Sequence, residues 1–116
     1  MRHVVADGVK SKILKGKSMN AAAPNFVHAL DASHLVLVVN AAASEGITSI
    51  GVVHDSFACL APQARKLRGI INSQFAEMYS RDVLDELRRA AGSTDPLPDK
   101  GSLNPLSVLQ SEYAFA

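Results

Sequence analysis

An α+β fold is predicted by three patterns in the chain. Two short apolar stretches, Ile47 to Val53 and Phe57 to Leu60, flank the polar tip His54-Asp55-Ser56, which reads as a hairpin. Ala64, Leu67, Ile70, Ile71, Phe75 and Met78 then recur at helical spacing. Near the start, Asp7-Gly8 separates His3-Val-Val-Ala6 from Val9 to Leu14, a signal for a two-residue turn between strands. The expected arrangement is a central β-hairpin packed with three to four helices, plus a short basic N-terminal β-hairpin.

The elements follow in order. Gly16, Ser18 and Asn20 break the first pattern, and Pro24 opens a segment, Asn25 to Leu30, suited to a helical turn. Asp31 is placed to cap a helix over Ala32 to Ser44. Leu35-Val-Leu-Val-Val39 favours strand by propensity, but it runs into Asn40-Ala-Ala-Ala43 and stops at Glu45-Gly46, as a helix does. Pro62 suits the first turn of the next helix. Ser80 is the expected cap of another, with Val83, Leu84 and Leu87 as its buried face and Gly92 as its end. Ser93 to Ser102 reads as an ordered surface loop, and Asn104-Pro105 as the start of a short helix to about Gln110. The ending Tyr113-Ala-Phe-Ala116 is too apolar for a free tail and is expected to dock. Three regions result: a basic hairpin segment over 1–20, a central body over 21–92, and a C-terminal loop, helix and tail over 93–116.

With 116 residues the chain makes one domain at most, and 47% apolar content supplies a core. The net charge of +1 hides an asymmetry. Residues 1–17 hold Arg2, Lys10, Lys12, Lys15 and Lys17 against Asp7, a net of +4, which leaves −3 for the remainder. A basic stretch can track a phosphate backbone or be a solvated face. The lone Cys59 excludes an internal disulfide and reads as a small buried hydrophobe. No apolar run reaches the roughly 20 residues of a membrane helix, and no signal-peptide pattern opens the chain, so a soluble, reducing compartment is expected.

Asp55 is the leading candidate for chemistry. Phosphoryl transfer to a growing strand uses two divalent cations about 4 Å apart, and magnesium prefers carboxylate oxygens. A carboxylate at a tight hairpin tip is rigidly held and can reach a groove. By itself a His-Asp-Ser turn is common, and a turn aspartate is the plain reading. His28 and His34 read as partly buried rings with satisfied nitrogens, Asp31 as a cap, and Arg65, Lys66 and Arg68 as a solvated helix face. No histidine–cysteine set has zinc spacing, and Ser56 lacks the glycines of a nucleophile elbow.

Three separated pieces occur in the right order for a known family. Ala23-Pro-Asn-Phe-Val-His-Ala-Leu-Asp-Ala-Ser-His-Leu35, Val53-His-Asp-Ser-Phe57, and Leu97-Pro-Asp-Lys-Gly-Ser-Leu103 followed by Val108-Leu-Gln-Ser-Glu-Tyr-Ala-Phe-Ala116 together resemble the C-terminal part of a single-subunit, bacteriophage-type DNA-directed RNA polymerase. The resemblance implies that the central hairpin is the catalytic hairpin of a polymerase palm and the tail its terminal foot. It implies that Asp55 binds catalytic magnesium, as one of two aspartates serving two Mg2+ ions. His54 would lie beside the RNA end and help position it, and His28 would lie near the RNA–DNA hybrid or incoming nucleotide. Phe115 and the carboxylate of Ala116 would pack toward the active site. The implied partners are a DNA template, nascent RNA, nucleoside triphosphates and the remainder of the polymerase. The implied location is the cytoplasm of an infected bacterium.

Some features depart from that pattern. Phe57 is followed by Ala58-Cys59, where phage enzymes often have Gly-Thr. The second catalytic aspartate and the lysine and tyrosine of the fingers helix have no counterpart, so the chain alone is expected to be inactive. Two other readings stay open: the same end of an A-family DNA polymerase, against which Ser56 and the terminal sequence argue, and a non-catalytic nucleic-acid-binding remnant.

Overall fold

A helix of 30 residues, α1 (Lys15–Ser44), leads into a two-stranded antiparallel hairpin, β1 (Ile50–Val53) and β2 (Ser56–Cys59). A 3-10 turn (Ala61–Gln63), α2 (Ala64–Ser80), α3 (Val83–Ala90) and a 3-10 segment (Pro105–Gln110) follow. The computed structural model describes residues 14–115. The expected strands at 1–13, and Ala116, lie outside the described residues.

The first helix is longer than its sequence suggests. Lys15 to Asn20, expected as part of a basic hairpin, are helical, and Asp31 is not a cap but an interior residue of α1. Ala21-Ala-Ala23 has the highest helix propensity available and carries the helix across Ser18 and Asn20. Pro24 sits inside the helix, where it removes one backbone donor; its surroundings are exposed, so water can satisfy the freed carbonyl. By length and composition α1 could cross a membrane, contrary to expectation. Two of its residues, Val38 and Ala42, are buried at 0% exposure in the core, and the rest of the helix is partly or fully open.

The end of α1 is set by Gly46 at φ +84°. Gly46 N–H donates to Ala43 O at 3.1 Å, and Ile47 N–H donates to Ala42 O at 2.9 Å. These paired bonds form a Schellman cap, accompanied by the apolar contact it usually carries. Ile47, 2% exposed, is thereby turned into the core beside Ala42. Gly92, at φ +66°, ends α3 with the same pairing: Gly92 N–H to Arg89 O and Ser93 N–H to Arg88 O.

The core is small and has α1 on one side, α2 on the other and the hairpin across the end. Val38, Ala42, Ile47, Leu67 and Ile70 form its buried cluster. Ile50, Phe57, Cys59, Ala41 and Ile71 pack on it half-buried. The hairpin register pairs Ile50 with Cys59 and Val52 with Phe57, so the alternation of the strands turns these four inward and leaves Val53 and Ala58 outward. Strand β1 starts at Ile50, three residues later than the expected Ile47, because the cap of α1 uses Ile47.

Two other expectations change. Ser80 ends α2, with its hydroxyl donating to Ala76 O, and the cap of α3 is Asp82, whose carboxylate accepts from Asp85 N–H at 3.1 Å. Lys100 reaches back from the 93–102 loop to Asp82 at 2.7 Å. The Lys100 hydrogen bond, and after it the Asp85 amide, hold the Asp82 carboxyl below its ordinary range. Helix α3 has no buried residue, and Leu84 and Leu87 stay 37% and 44% exposed. Asn104 caps the last segment as expected, its side chain accepting from Leu106 N–H.

The αL backbone at Gly46 predicts a clear effect of adding a side chain. Gly46→Ala has open space for its methyl group, so its penalty comes from the backbone, about 1–2 kcal/mol. Urea denaturation followed by circular dichroism should show a lower midpoint with an unchanged slope.

Candidate nucleic-acid and catalytic site

The hairpin turns in two residues, His54 and Asp55, between the paired Val53 and Ser56. So tight a turn forces His54 to φ +54°, a left-handed conformation that histidine adopts more readily than β-branched residues do. The pair therefore projects from the end of the sheet, and both side chains are exposed.

Behind this tip lies a cleft of about 590 Å³. His54 and Asp55 line it from the hairpin, His28, Asp31 and His34 from α1, Phe75 and Tyr79 from α2, and Phe115 from the tail. Four of the residues singled out by sequence, His28, His54, Asp55 and Phe115, thus share one wall-to-wall space although 87 positions separate the first from the last. Helical spacing explains the α1 contribution, since residues 28, 31 and 34 fall three apart on one face.

His34 has the satisfied ring the sequence suggests. Its Nε2 lies 3.1 Å from Ile71 O. Phe115 stacks on the ring at 5.6 Å and 25°, while Phe75 meets it edge-on at 5.6 Å. The tail is docked, then, at Phe115; Tyr113 remains 80% exposed. Arg65, Lys66 and Arg68 are exposed, as a solvated helix face requires, and two of them also make surface contacts. Lys66 binds the Glu45 carbonyl and carboxylate, at 2.7 and 3.2 Å, and Arg68 reaches Ser111 O.

Asp31 and Tyr79 are cleft residues that the sequence did not single out. The signal for Asp31 was its i, i+3 spacing from His28, which its resemblance to a helix cap concealed. Burial raises the Tyr79 hydroxyl pKa above the usual 10.0, and the Asp31 charge adds to that.

A magnesium site would require convergent oxygen ligands. Asp55 offers an exposed carboxylate at the cleft mouth, which is the right donor type. Among the described residues, however, no group of three or more histidine, cysteine or acidic side chains is placed to hold a metal. The donor set of the described residues does not fit a complete magnesium site.

Comparison with known proteins identifies the frame into which this cleft fits. Residues 3–94 match the sequence profile of the family described as DNA-dependent RNA polymerase. The chain belongs to that family. The match starts 20 positions before Ala23, where the motif resemblance begins, and stops before the tail. The chain is 34% identical over 110 residues to the mitochondrial DNA-directed RNA polymerase 1 of Arabidopsis thaliana. It is 36% identical over 105 residues to the chloroplastic polymerase 3B of Nicotiana tabacum. These alignments cover 90% and 85% of the chain, but only 11% of each relative. For polymerase 2A of Nicotiana tabacum, 32% identical over 110 residues, the covered share is 90% of the chain and 33% of the relative. The chain therefore spans between about a tenth and a third of these curated relatives. No solved structure matches it. The relatives correct one expectation: they are named for plant mitochondria and chloroplasts, so placement in the cytoplasm of a phage-infected bacterium is overturned.

The pairing of Asp31 with Tyr79 is measurable. In a Tyr113→Phe background, ultraviolet titration should show Tyr79 ionising above pH 10.0, and Asp31→Asn should lower the midpoint without restoring it fully, since burial is the larger cause. The raised value means that its stabilising contribution is complete below pH 10.0 and is lost as pH rises through the folded-state value. An unmoved midpoint would show that Asp31 does not act on Tyr79.

Proposed function

We propose that this chain is the C-terminal palm-and-foot segment of a DNA-directed RNA polymerase and supplies part of its nucleotidyl-transfer site. The observation that carries this reading is the convergence of His28, His54, Asp55 and Phe115 on one cleft. Their sequence separation makes chance clustering a poor explanation. The polymerase family membership supplies the chemistry that such a cleft would serve.

In the complete enzyme, the RNA 3′-hydroxyl attacks the α-phosphate of a nucleoside triphosphate and pyrophosphate leaves. Two magnesium ions, when bound, would activate the attacking oxygen and neutralise charge on the leaving group. This chain contributes Asp55, a rigidly placed carboxylate ligand at the hairpin tip. His54, fixed by the same turn, orients the RNA end. His28 reaches the cleft from α1 and contacts the hybrid or incoming nucleotide. Phe115 closes the wall on the tail side. Positioning and charge stabilisation are the protein's share of the reaction.

A single carboxylate does not complete the two-metal site, so the other ligands come from the remainder of the polymerase. The molecule's form supports a missing partner. Its radius of gyration is 18.7 Å, against about 13 Å for a compact domain near this length. Val36 and Leu37 on α1 and Leu84 and Leu87 on α3 are open to solvent. DNA template, nascent RNA and nucleoside triphosphates are the partners of the assembled enzyme.

The chain alone should give no product in a templated extension assay with magnesium and nucleotides. Grafted in place of the matching segment of a single-subunit RNA polymerase, it should support extension, and Asp55→Ala should reduce the rate about a thousandfold, ~4 kcal/mol of transition-state stabilisation. An active graft indifferent to Asp55→Ala would sink the assignment. Hybrid binding by the chain alone, unaffected by Asp55→Asn and steeply salt-dependent, would favour the non-catalytic remnant instead.

A further inference from the structure

The aromatic contacts behind the cleft have an uneven pattern. Phe57 belongs to β2 and follows Asp55 by two positions. Phe115 belongs to the tail. Among the described residues no aromatic pair joins these two directly. Both instead meet the His34 ring, Phe57 edge-on at 6.3 Å and 79° and Phe115 stacked at 5.6 Å and 25°. Phe75 buttresses the ring and Phe115 alike, at 5.6 and 5.3 Å.

The ring is itself fixed. The Ile71 carbonyl can only accept, so Nε2 of His34 carries the proton and donates to it at 3.1 Å. The tail reaches the ring along a ridge of α2 that grips backbone rather than side chains. Asn72, 7% exposed, donates through Nδ2 to Val108 O at 3.3 Å, and Arg68 donates to Ser111 O at 3.4 Å. Residues 68, 72 and 75 lie on one face of α2, so these grips lead directly to the Phe75–Phe115 contact.

We propose that His34 is a positioning residue that couples the C-terminal tail to the hairpin, so that docking of Phe115 sets where the His54–Asp55 tip stands. The ring transmits by packing: if Phe115 leaves, the stacked face of His34 is exposed, the ring shifts, and the edge contact with Phe57 shifts with it. A displacement of about 1 Å at a catalytic group is enough to cost on the order of a hundredfold in rate. The catalytic consequence rests on the polymerase reading above. The mechanical coupling does not.

The test is a double-mutant cycle read at the tip. In the isotopically labelled full chain, Phe115→Ala should move the amide resonances of His54 and Asp55. In a His34→Gln background, which keeps a donor for Ile71 O but no ring, that displacement should shrink at least about threefold. His34→Phe, which keeps the ring without the donor, should restore it. An equal displacement with and without the ring, or none in the parent, would overturn the coupling, and a uniform loss of resonances in His34→Gln would be resolved by the His34→Phe arm. In the grafted polymerase, His34→Gln should lower kcat about ten- to a hundredfold while nucleotide KM changes less than about threefold, with recovery in His34→Phe. An inactive parent graft would count against the polymerase reading and leave the amide shifts, which need no substrate, to decide the coupling.

Discussion

Everything that positions the cleft depends on the contact between the C-terminal half of α1 and α2. Val38 and Ala42 on one helix meet Leu67 and Ile70 on the other, and Ile47 fills the end of the seam. Seven hydrophobic residues are buried among those described, so the seam carries most of the apolar burial that opposes chain entropy. The hairpin has only two strands and could not stand alone in water. Its inner face, through Ile50, Phe57 and Cys59, is held by that same cluster. The turn after α1 thus has a double function. It satisfies the last carbonyls of the helix, and it turns the chain so that β1 begins against the seam.

The cleft is lined by a face of α1 bearing residues 28, 31 and 34, a face of α2 bearing 75 and 79, and the hairpin tip, and it adjoins the core through Phe57. The tail then occupies part of the gap. It contributes little buried surface of its own, since residues 111–115 are all exposed by residue. Its hold comes from two captured carbonyls and one stacked ring. Such a grip is strong in direction and weak in energy, which suits an element that shapes a site more than it stabilises a fold.

Much of this was legible in the sequence where local rules act alone. The hairpin (its tip read as His54-Asp55-Ser56, though Ser56 already pairs with Val53), the glycine-capped ends at Gly46 and Gly92, Pro62 at a helix start and Asn104 before its proline were all readable, because each is decided within a few residues. The reading failed where distance matters. Asp31 looked like a cap because it precedes Ala32-Ser33, but Ala21-Ala-Ala23 had already carried the helix through it. Ser80 looked like a cap for a comparable reason, yet Asp82 forms the side-chain hydrogen bond at that break and also meets Lys100 from a distant loop. The apolar face of α3 looked buried because periodicity reports what a helix could bury, not whether a partner is present. The candidate site was legible as a list of residues, brought together only by the resemblance; the share of Asp31 and Tyr79 was not, because it depends on how separate elements pack round the cleft.

The proposed function gives the open surface and the incomplete metal site a common cause. If the chain is the palm segment proposed above, separation from the rest of a polymerase removes neighbours on both its apolar and its catalytic faces. On that reading Leu84 and Leu87 remain in water for the same reason that the described residues hold no group of three or more metal-ligating side chains around Asp55. The two losses differ in consequence. Exposed leucines cost about 25 cal/mol for each Å² left unburied, a graded penalty that a fold can survive. A metal centre lacking ligands has no graded form, because divalent cations require several oxygens at once to replace their water. On the proposed reading, folding of this chain and catalysis are therefore separable: the α1–α2 seam is internal to the described residues, whereas the metal ligands that those residues lack would come from other polymerase residues.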